Sequence, residues 1–173
     1  MAENLGKKFE QKVREGFERV DGVSIDRVHD QTTRYKGSTN ICDFMVYRKP
    51  TLYYIECKSV QGNTLSIHSV PKPDKKGVLH GFYGNITDAQ WEGLLEKSEI
   101  PGVMAGVMCW WIDKDVTRFI PIRMLKSMRD EGAKSIRYDV IATNGYFAQS
   151  IRGEKKRKYF DYDMKPFLSI VVY

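Results

Sequence analysis

Apolar positions recur along this chain first with the period of a helix and then with the period of a strand. From Leu5 to Phe17 a large apolar residue comes every four positions, which predicts a helix over residues 3–20. Strand-like runs follow at residues 23–28, 41–47 and 51–60. The tripeptide Arg48-Lys49-Pro50 separates the last two runs with turn-forming residues, so these runs are expected to form a hairpin.

The second half of the chain begins with a helix start. Thr87-Asp88-Ala89-Gln90 has the sequence of a capping box, and Pro101-Gly102 ends the helix that it predicts. The continuous apolar run 103–112 predicts a buried strand. Further predicted elements are a connection at 61–85, an edge strand at 116–120, a short helix at 121–128 and a strand at 167–173.

This order of elements predicts an α/β fold, with a central sheet covered by helices on both faces. The 173 residues, 42% of them hydrophobic, are enough for one globular domain with a real core. No apolar stretch approaches the length of a membrane span, and the charged N-terminus is unlike a secretory signal. The three cysteines lie in apolar runs, a pattern typical of buried free thiols in a reducing compartment.

The predicted hairpin carries an unusual set of charges. Glu56 and Lys58 alternate with apolar residues on the second strand, so they share a face roughly 7 Å apart along the backbone. Asp43 lies on the first strand of the predicted hairpin. Carboxylates are costly to bury unless they bind something, and their oxygens suit a divalent cation such as Mg²⁺, while Lys58 suits a phosphate or its attacking water. The alternative is a solvated ion pair on the outer face of a strand.

The opening helix contributes one further acidic candidate. Glu10 lies at the edge of the apolar face and can reach the sheet where Asp43 and Glu56 stand. The alternative is a solvated helical glutamate.

The ordered set of motifs resembles the PD-(D/E)xK nuclease superfamily, and within it the RecU-type and archaeal Hjc-type Holliday junction resolvases. The set consists of Gly6-x-x-Phe9-Glu10, then Asp43, then Glu56-x-Lys58, then Gln90 on the following helix. The match spans roughly residues 4–125 in order and spacing. A departure from the family pattern is that Ile41-Cys42, rather than a proline, precedes Asp43.

The resemblance implies a restriction-endonuclease-like fold, with a nuclease core over residues 1–128 and a C-terminal extension over residues 129–173. It also implies that Mg²⁺, or Mn²⁺ in its place, is held by Asp43, Glu56, the backbone carbonyl of Cys57 and, directly or through water, Glu10. Lys58 would position the attacking water, and Gln90 would support the site or touch DNA. The capping box offers a complete alternative explanation for Gln90.

By the same resemblance the protein would resolve four-way DNA junctions as a homodimer, in the cytoplasm of a bacterial or phage-infected cell. Apolar surface near residues 103–112 is one candidate interface, and Trp110-Trp111 is expected in the core or at that contact. Two alternatives stay open: a restriction-, repair- or nicking-type nuclease acting on duplex DNA, and an inactive DNA-binding homologue.

Basic segments outside the hairpin are candidate DNA contacts, consistent with a formal net charge of +6. Hydroxyls and cations in a loop before Asp43 suit phosphates, although any exposed loop has such a composition. A basic tract near residue 155 is followed by Tyr159 and Phe160, so it suits either a nucleic-acid groove or a solvated hairpin turn. The predicted DNA-binding residues are Thr33, Arg34, Lys36, Ser38, Lys72, Lys75, Lys76, Lys155, Lys156 and Arg157.

Overall fold

The structure is a computed structural model that describes residues 4–28, 40–68, 72–73, 75–80 and 84–169. Its helices are α1 Leu5–Glu18, α2 Asp88–Ser98, α3 Ile122–Asp130 and α4 Lys165–Leu168. Its strands are β1 Ser24–Arg27, β2 Phe44–Arg48, β3 Thr51–Val60, β4 Thr64–Ser66, β5 Lys72–Pro73, β6 Leu79–His80, β7 Val103–Trp111, β8 Val116–Pro121, β9 Ser135–Arg137, β10 Ala142–Thr143, β11 Tyr146–Phe147, β12 Gln149–Ser150, β13 Arg152–Lys155 and β14 Phe160–Asp163.

The central sheet has six strands within the described ranges, in the order β1-β2-β3-β7-β8-β12. β3 and β7 are parallel, and the other neighbours are antiparallel. A parallel pair needs a crossover connection, and α2 lies in the one between β3 and β7. Four short pairs flank the sheet: β4–β9, β5–β6, β10–β11 and β13–β14. The predicted central mixed sheet with flanking helices is therefore confirmed.

One face of the sheet packs against α1 and the β13–β14 hairpin. Asn4 caps α1, because its side chain accepts a hydrogen bond from the backbone N–H of Lys7 at 3.2 Å. Phe9, Val13 and Phe17 then point into the core at helical spacing, as the sequence predicted. Residues after position 160, such as buried Tyr162 and Phe167, complete the same core.

The opposite face packs against α2 and α3. Trp91 and Leu94 of α2 and Leu125 of α3 are buried on it. Gly93 allows the close approach of α2 to the segment before β2, since a Cβ at this position would lie 2.2 Å from Cγ2 of Ile41. The contact fixes α2 beside the strand that carries Asp43.

Several predicted elements are confirmed. The hairpin strands β2 and β3, the buried strand β7 and the helix α3 lie where the sequence placed them. The capping box is also formed, with Thr87 as N-cap. All three cysteines are free and buried. The 61–85 connection contains the short strands β4, β5 and β6.

The predicted edge position of the strand at 116–120 and the predicted strand at 167–173 are wrong, although the first of these strands is present as β8. β8 is not the sheet edge, because Gln149 and Ser150 of β12 pair with it; a two-residue strand is too short to show a period. The predicted strand at 167–173 is replaced at its start by α4, and residues 170–173 lie outside the described residues. Asp163 accepts from the N–H of Lys165 at 3.1 Å, and Pro166 fits the first turn of a helix.

The strand proposed as a subunit interface is enclosed. β7 lies between β3 and β8, and Trp110 and Trp111 are buried in opposite cores. From Ala105 to Trp111 the side chains of β7 are therefore buried in this chain's own interior. No helix in the described ranges has the length and apolar character that crossing a bilayer requires.

Candidate active site

The β2–β3 hairpin places two carboxyl groups side by side. The register pairs Phe44 with Ile55, so Asp43, one residue earlier, stands opposite Glu56. Residues directly opposite each other point to the same face of a sheet. The backbone N–H of Asp43 donates to the carbonyl of Ile55 at 3.0 Å, and its Oδ2 accepts from the N–H of Cys57 at 2.7 Å. These bonds fix the Asp43 carboxyl against β3.

Lys58 and Gln90 complete a connected polar group around Glu56. Lys58 Nζ lies 2.7 Å from Glu56 Oε1, and Gln90 Nε2 donates to the same oxygen at 2.6 Å. Lys58 Nζ also donates to Gln90 Oε1 at 3.3 Å. These three residues and Asp43 were predicted as site residues from the sequence, and the structure brings all four together.

Gln90 serves the helix and the site at once. Its Oε1 accepts from the backbone N–H of Thr87 at 3.0 Å, and its own N–H donates to Thr87 Oγ1 at 3.2 Å, which together form the capping box. Its amide nitrogen remains available for Glu56. The two explanations that the sequence offered for Gln90 are therefore compatible.

Burial governs the electrostatics of the pair. Glu56 is 3% exposed, and desolvation, followed by the charge of Asp43, raises the pKa of Glu56 to about 8 against the opposing effect of Lys58. Burial also raises the pKa of Asp43, while the Cys57 N–H and Lys58 act against it. The negative charge of Asp43 disfavours ionisation of Glu56, so a cation bound beside both carboxyl groups would favour the ionised form of each.

Glu10 approaches the pair from α1. Burial, followed by the charge of Asp43, raises the pKa of Glu10, and Arg27 opposes the shift. Arg27 Nη2 donates to Glu10 Oε2 at 2.6 Å. Arg27 was not among the predicted site residues. It stands opposite Phe44, next to Asp43, and the only signal for it was a cation at the end of a predicted strand.

The donor set fits a hard divalent cation. Asp43 and Glu56 supply carboxylate oxygens, and Mg²⁺ is commonly held by one or two carboxylates while it keeps several waters. Among the described residues no group of three or more acidic, histidine or cysteine side chains is arranged to hold a metal ion. Glu10 is ion-paired with Arg27, which is consistent with only two carboxyl groups converging.

Two helix N-termini lie at this end of β3. A methyl group at Gly6, near the start of α1, would lie 3.6 Å from Ser59 Oγ. The start of α2 reaches Lys58 through Gln90. Free N–H groups and the helix dipole favour anions at helix N-termini, so a phosphate is compatible with this region.

None of the predicted DNA-binding residues in the described ranges belongs to the polar group around Glu56. Four of them, Thr33, Arg34, Lys36 and Ser38, fall outside the described residues. Lys72 belongs to β5, and Lys75 and Lys76 lie exposed in the turn between β5 and β6. Lys155 ends β13, and Lys156 and Arg157 follow it in the turn before β14. No measured contact tests these assignments, so they stay predictions.

Comparison with known proteins gives a likeness of fold. No family model and no curated protein matches the chain. An Hjc Holliday junction resolvase from Archaeoglobus fulgidus aligns with a TM-score of 0.46 and 17% identity over 84% of this chain and 88% of that one. The bacterial homing endonuclease I-Ssp6803I aligns with a TM-score of 0.41 and 14% identity over 90% of this chain and 86% of that one.

The first of these structures is of the Hjc type that the sequence motifs resemble. At such identities and TM-scores the likeness concerns fold alone. The activities named for the two proteins remain statements about those proteins.

Proposed function

We propose that this chain is a metal-dependent endonuclease that hydrolyses phosphodiester bonds in DNA. The observation that carries the proposal is the carboxyl pair of half-buried Asp43 and buried Glu56, joined to Lys58 and Gln90. Hydrolysis of a phosphodiester needs an activated water and neutralisation of charge at the scissile phosphate. The two carboxyl groups can hold an ion that activates the water, and the ammonium group beside them can neutralise charge on the phosphate.

In this proposal Asp43 and Glu56 hold Mg²⁺ or Mn²⁺, with the Cys57 carbonyl as a further ligand and Glu10 acting through water. The bound ion would supply Lewis-acid stabilisation of the phosphate and lower the pKa of a bound water. Glu56 must lose its proton before both of its oxygens can act as ligands. Lys58 then positions the attacking water and stabilises negative charge on the phosphate.

Gln90 has a positioning role. Because its amide nitrogen donates to Glu56 and its carbonyl oxygen accepts from Lys58, it holds both groups in one orientation. Its own orientation is fixed by the capping box of α2. Such support is what keeps catalytic groups within the narrow tolerances that catalysis requires.

The finer proposal concerns the substrate. We propose a four-way DNA junction cut by a homodimer, because twofold-symmetric paired cuts need two sites. Support comes from the motif resemblance and from the formal net charge of +6, which suits a polyanion. A duplex-cutting nuclease with the same site is the competing proposal.

The experiment is cleavage of a labelled mobile four-way junction and of a matched linear duplex, each with Mg²⁺ or with EDTA. Wild type is compared with Glu56→Gln, Lys58→Ala and the control Glu99→Gln, which removes an exposed carboxylate at the other end of α2. We expect Lys58→Ala to slow cleavage roughly 100-fold or more, and Glu99→Gln to leave it unchanged.

Paired symmetric nicks restricted to the junction would support a resolvase. Equal cutting of both substrates would keep the nuclease and reject the junction preference. Tight DNA binding without Mg²⁺-dependent cleavage would reject the enzyme and favour the inactive DNA-binding homologue.

A further inference from the structure

A second basic region lies on the other flank of α1. The turn between β13 and β14 folds against the helix and leaves a cleft of about 400 Å³, lined by Lys12 and residues 156–161. This volume is within the range of roughly 300–1,000 Å³ that suits a small ligand or part of a polymer. A double helix is too wide to enter it.

The cleft carries an excess of positive charge. Lys12, Lys156, Arg157 and Lys158 line it, against the single carboxylate of Asp161. Asp161 is already paired with Arg19, outside the cleft, at 3.0 Å.

The cations differ in their existing partners. Lys12 is paired with Glu15 at 2.6 Å and Lys156 with Glu154 at 2.5 Å. Arg157 makes no ion pair with another described residue and is exposed. Its guanidinium group is therefore available to a phosphate, which it can bind through two parallel hydrogen bonds.

Aromatic side chains form the rest of the lining. Phe160 is half-buried and stacks on Tyr162, with ring centroids 5.7 Å apart and planes 21° apart. Tyr159 packs against Trp110 with ring centroids 6.1 Å apart. These contacts anchor the turn to the core, so the aromatic lining of the cleft is held in place rather than left on a loose loop.

The cleft and the candidate active site lie on either side of α1. Trp110, which anchors Tyr159, stands opposite Ser59 in the β3–β7 register, so its side chain lies on the sheet face opposite to that of Lys58. Lys12 follows Glu10 by two residues, which places the two on opposite flanks of α1. The helix, roughly 10–12 Å across, is what separates them. A nucleic-acid chain would have to pass around the helix to contact both places.

We propose that this cleft binds an unpaired DNA strand of the nuclease's own substrate, with phosphates on Arg157 and its neighbouring lysines and a base stacked on Phe160. The inference rests on the proposed function. Duplex DNA keeps its bases inside and would use only the cations, whereas a single strand uses both the cations and the aromatic face. The site therefore favours substrates that expose single-stranded DNA.

The test is a binding measurement without catalysis. Fluorescence anisotropy in EDTA follows the inactive Glu56→Gln protein with a labelled oligothymidylate about 15 nucleotides long, at salt between about 50 and 200 mM. Adding Arg157→Gln and Lys158→Gln should weaken binding tenfold or more. It should also reduce the salt slope by about 1.4, because each lost phosphate contact on a single strand contributes about 0.7.

A second variant isolates the aromatic contribution. Phe160→Leu keeps an apolar group against Tyr162 but removes the ring face, so affinity should fall roughly five-fold with an unchanged salt slope. A matched control, Lys97→Gln with Lys126→Gln, removes the same formal charge from the α2–α3 side of the molecule. It should leave oligothymidylate binding within about two-fold. Thermal melting of each variant verifies the fold.

Some outcomes would overturn the proposal that the cleft binds single-stranded DNA. One is unchanged affinity and salt slope in Arg157→Gln/Lys158→Gln, and another is an equal loss in the control pair. A loss restricted to duplex DNA would also overturn the single-strand assignment. Failure of the nuclease is a separate result: without Mg²⁺-dependent cleavage, a selective loss of oligothymidylate binding would still support the cleft.

Discussion

Glu56 is buried beside a second carboxyl group, and this makes the stability of the protein depend on pH in an unusual direction. Its pKa is raised from 4.5 to about 8, so the folded state binds a proton more tightly than the unfolded state. This contribution to the free energy of unfolding is fully present below about pH 4.5. It is lost as pH rises through about 8.

The substitution Glu56→Gln should remove this pH-dependent loss of unfolding free energy. Each pKa unit corresponds to about 1.4 kcal/mol, so we expect the variant to exceed wild type in unfolding free energy by a few kcal/mol at alkaline pH. The advantage should shrink towards pH 4.5. Urea unfolding of both proteins across this range measures it, with Glu99→Gln as the exposed control. A variant that is less stable than wild type at every pH would contradict the electrostatic account.

Divalent cations should offset the loss of stability that ionisation of Glu56 causes in the wild-type protein. A cation that binds the ionised carboxyl pair stabilises the folded state by an amount that grows with the logarithm of its concentration, and at lower pH it must displace the proton of Glu56. Millimolar Mg²⁺ should therefore raise the melting temperature of wild type more above pH 8 than below pH 6. Asp43→Asn should lose the effect. An equal rise in Asp43→Asn would place the bound cation elsewhere.

At the scale of elements, Gln90 connects the start of α2 to β3, and its two roles can be separated. Gln90→Glu keeps a carboxyl oxygen able to accept from the Thr87 N–H, but it replaces the donor to Glu56 with a negative charge. We expect α2 to remain capped while cleavage falls roughly 10- to 100-fold.

Thr87→Ala is the complementary change. It removes the acceptor for the Gln90 N–H and should cost about 1 kcal/mol of stability, with a smaller effect on cleavage. Unfolding curves and cleavage rates on both variants distinguish the roles. If the two variants lost activity in proportion to stability alone, Gln90 would be only a cap.

Gly93 determines how closely α2 approaches the Asp43 segment. Gly93→Ala would gain about 1 kcal/mol in helix propensity, yet its methyl group would clash with Ile41 at 2.2 Å. We expect a net loss of about 1–3 kcal/mol from overpacking.

Gly6→Ala is the matched control for this change. It adds a methyl group to α1 with ordinary contacts of 3.4 Å to Asn4 and 3.6 Å to Ser59, so it should be neutral or stabilising. Melting temperatures of the two variants test the difference. Equal changes in melting temperature would mean that Ile41 moves aside without a loss of stability.

The elements that the sequence predicted well are those specified by local signals. The first half of the ten-residue β3 alternates between buried and partly buried positions, and the capping box marks the first turn of α2 by itself. β12, with two residues, and α4, with four, are too short for the strand or helix period to repeat. Their existence depends on partners far along the chain, such as β8, which local patterns do not encode.

The site residues also divide into those that local sequence patterns predict and those that they do not. Asp43, Glu56 and Lys58 were predictable because a strand's alternation and a hairpin's turn decide which side chains share a face. The ion pair of Arg27 with Glu10 joins a strand to a helix, and nothing in either segment indicates the other.

At the scale of the whole molecule, the last third of the chain supplies part of the core. Tyr162, Met164, Phe167 and Leu168 are buried against α1 and the sheet. Gly16 of α1 lies so close to β14 that a Cβ there would be 3.1 Å from the Tyr162 backbone oxygen. These contacts support the proposal that residues 129–173 pack on the same domain as the nuclease core.

Truncation after residue 128 should therefore abolish cooperative folding. Burial of one large apolar side chain is worth about 1.5–3 kcal/mol, so four of them approach the total stability of a domain, which is about 5–15 kcal/mol. Near-ultraviolet circular dichroism and urea unfolding of the 1–128 fragment measure this. A sharp unfolding transition in the fragment would show that residues 129–173 are dispensable.

The hydrogen bond from the Thr87 backbone N–H to Gln90 has a spectroscopic consequence. The Gln90 side chain also contacts Glu56 and Lys58, so any change of charge at the carboxyl pair polarises the amide plane that receives this bond. The Thr87 amide resonance is thus a built-in reporter. Its chemical shift registers protonation, cation binding or phosphate arrival at the hairpin without a label at any residue that performs the chemistry.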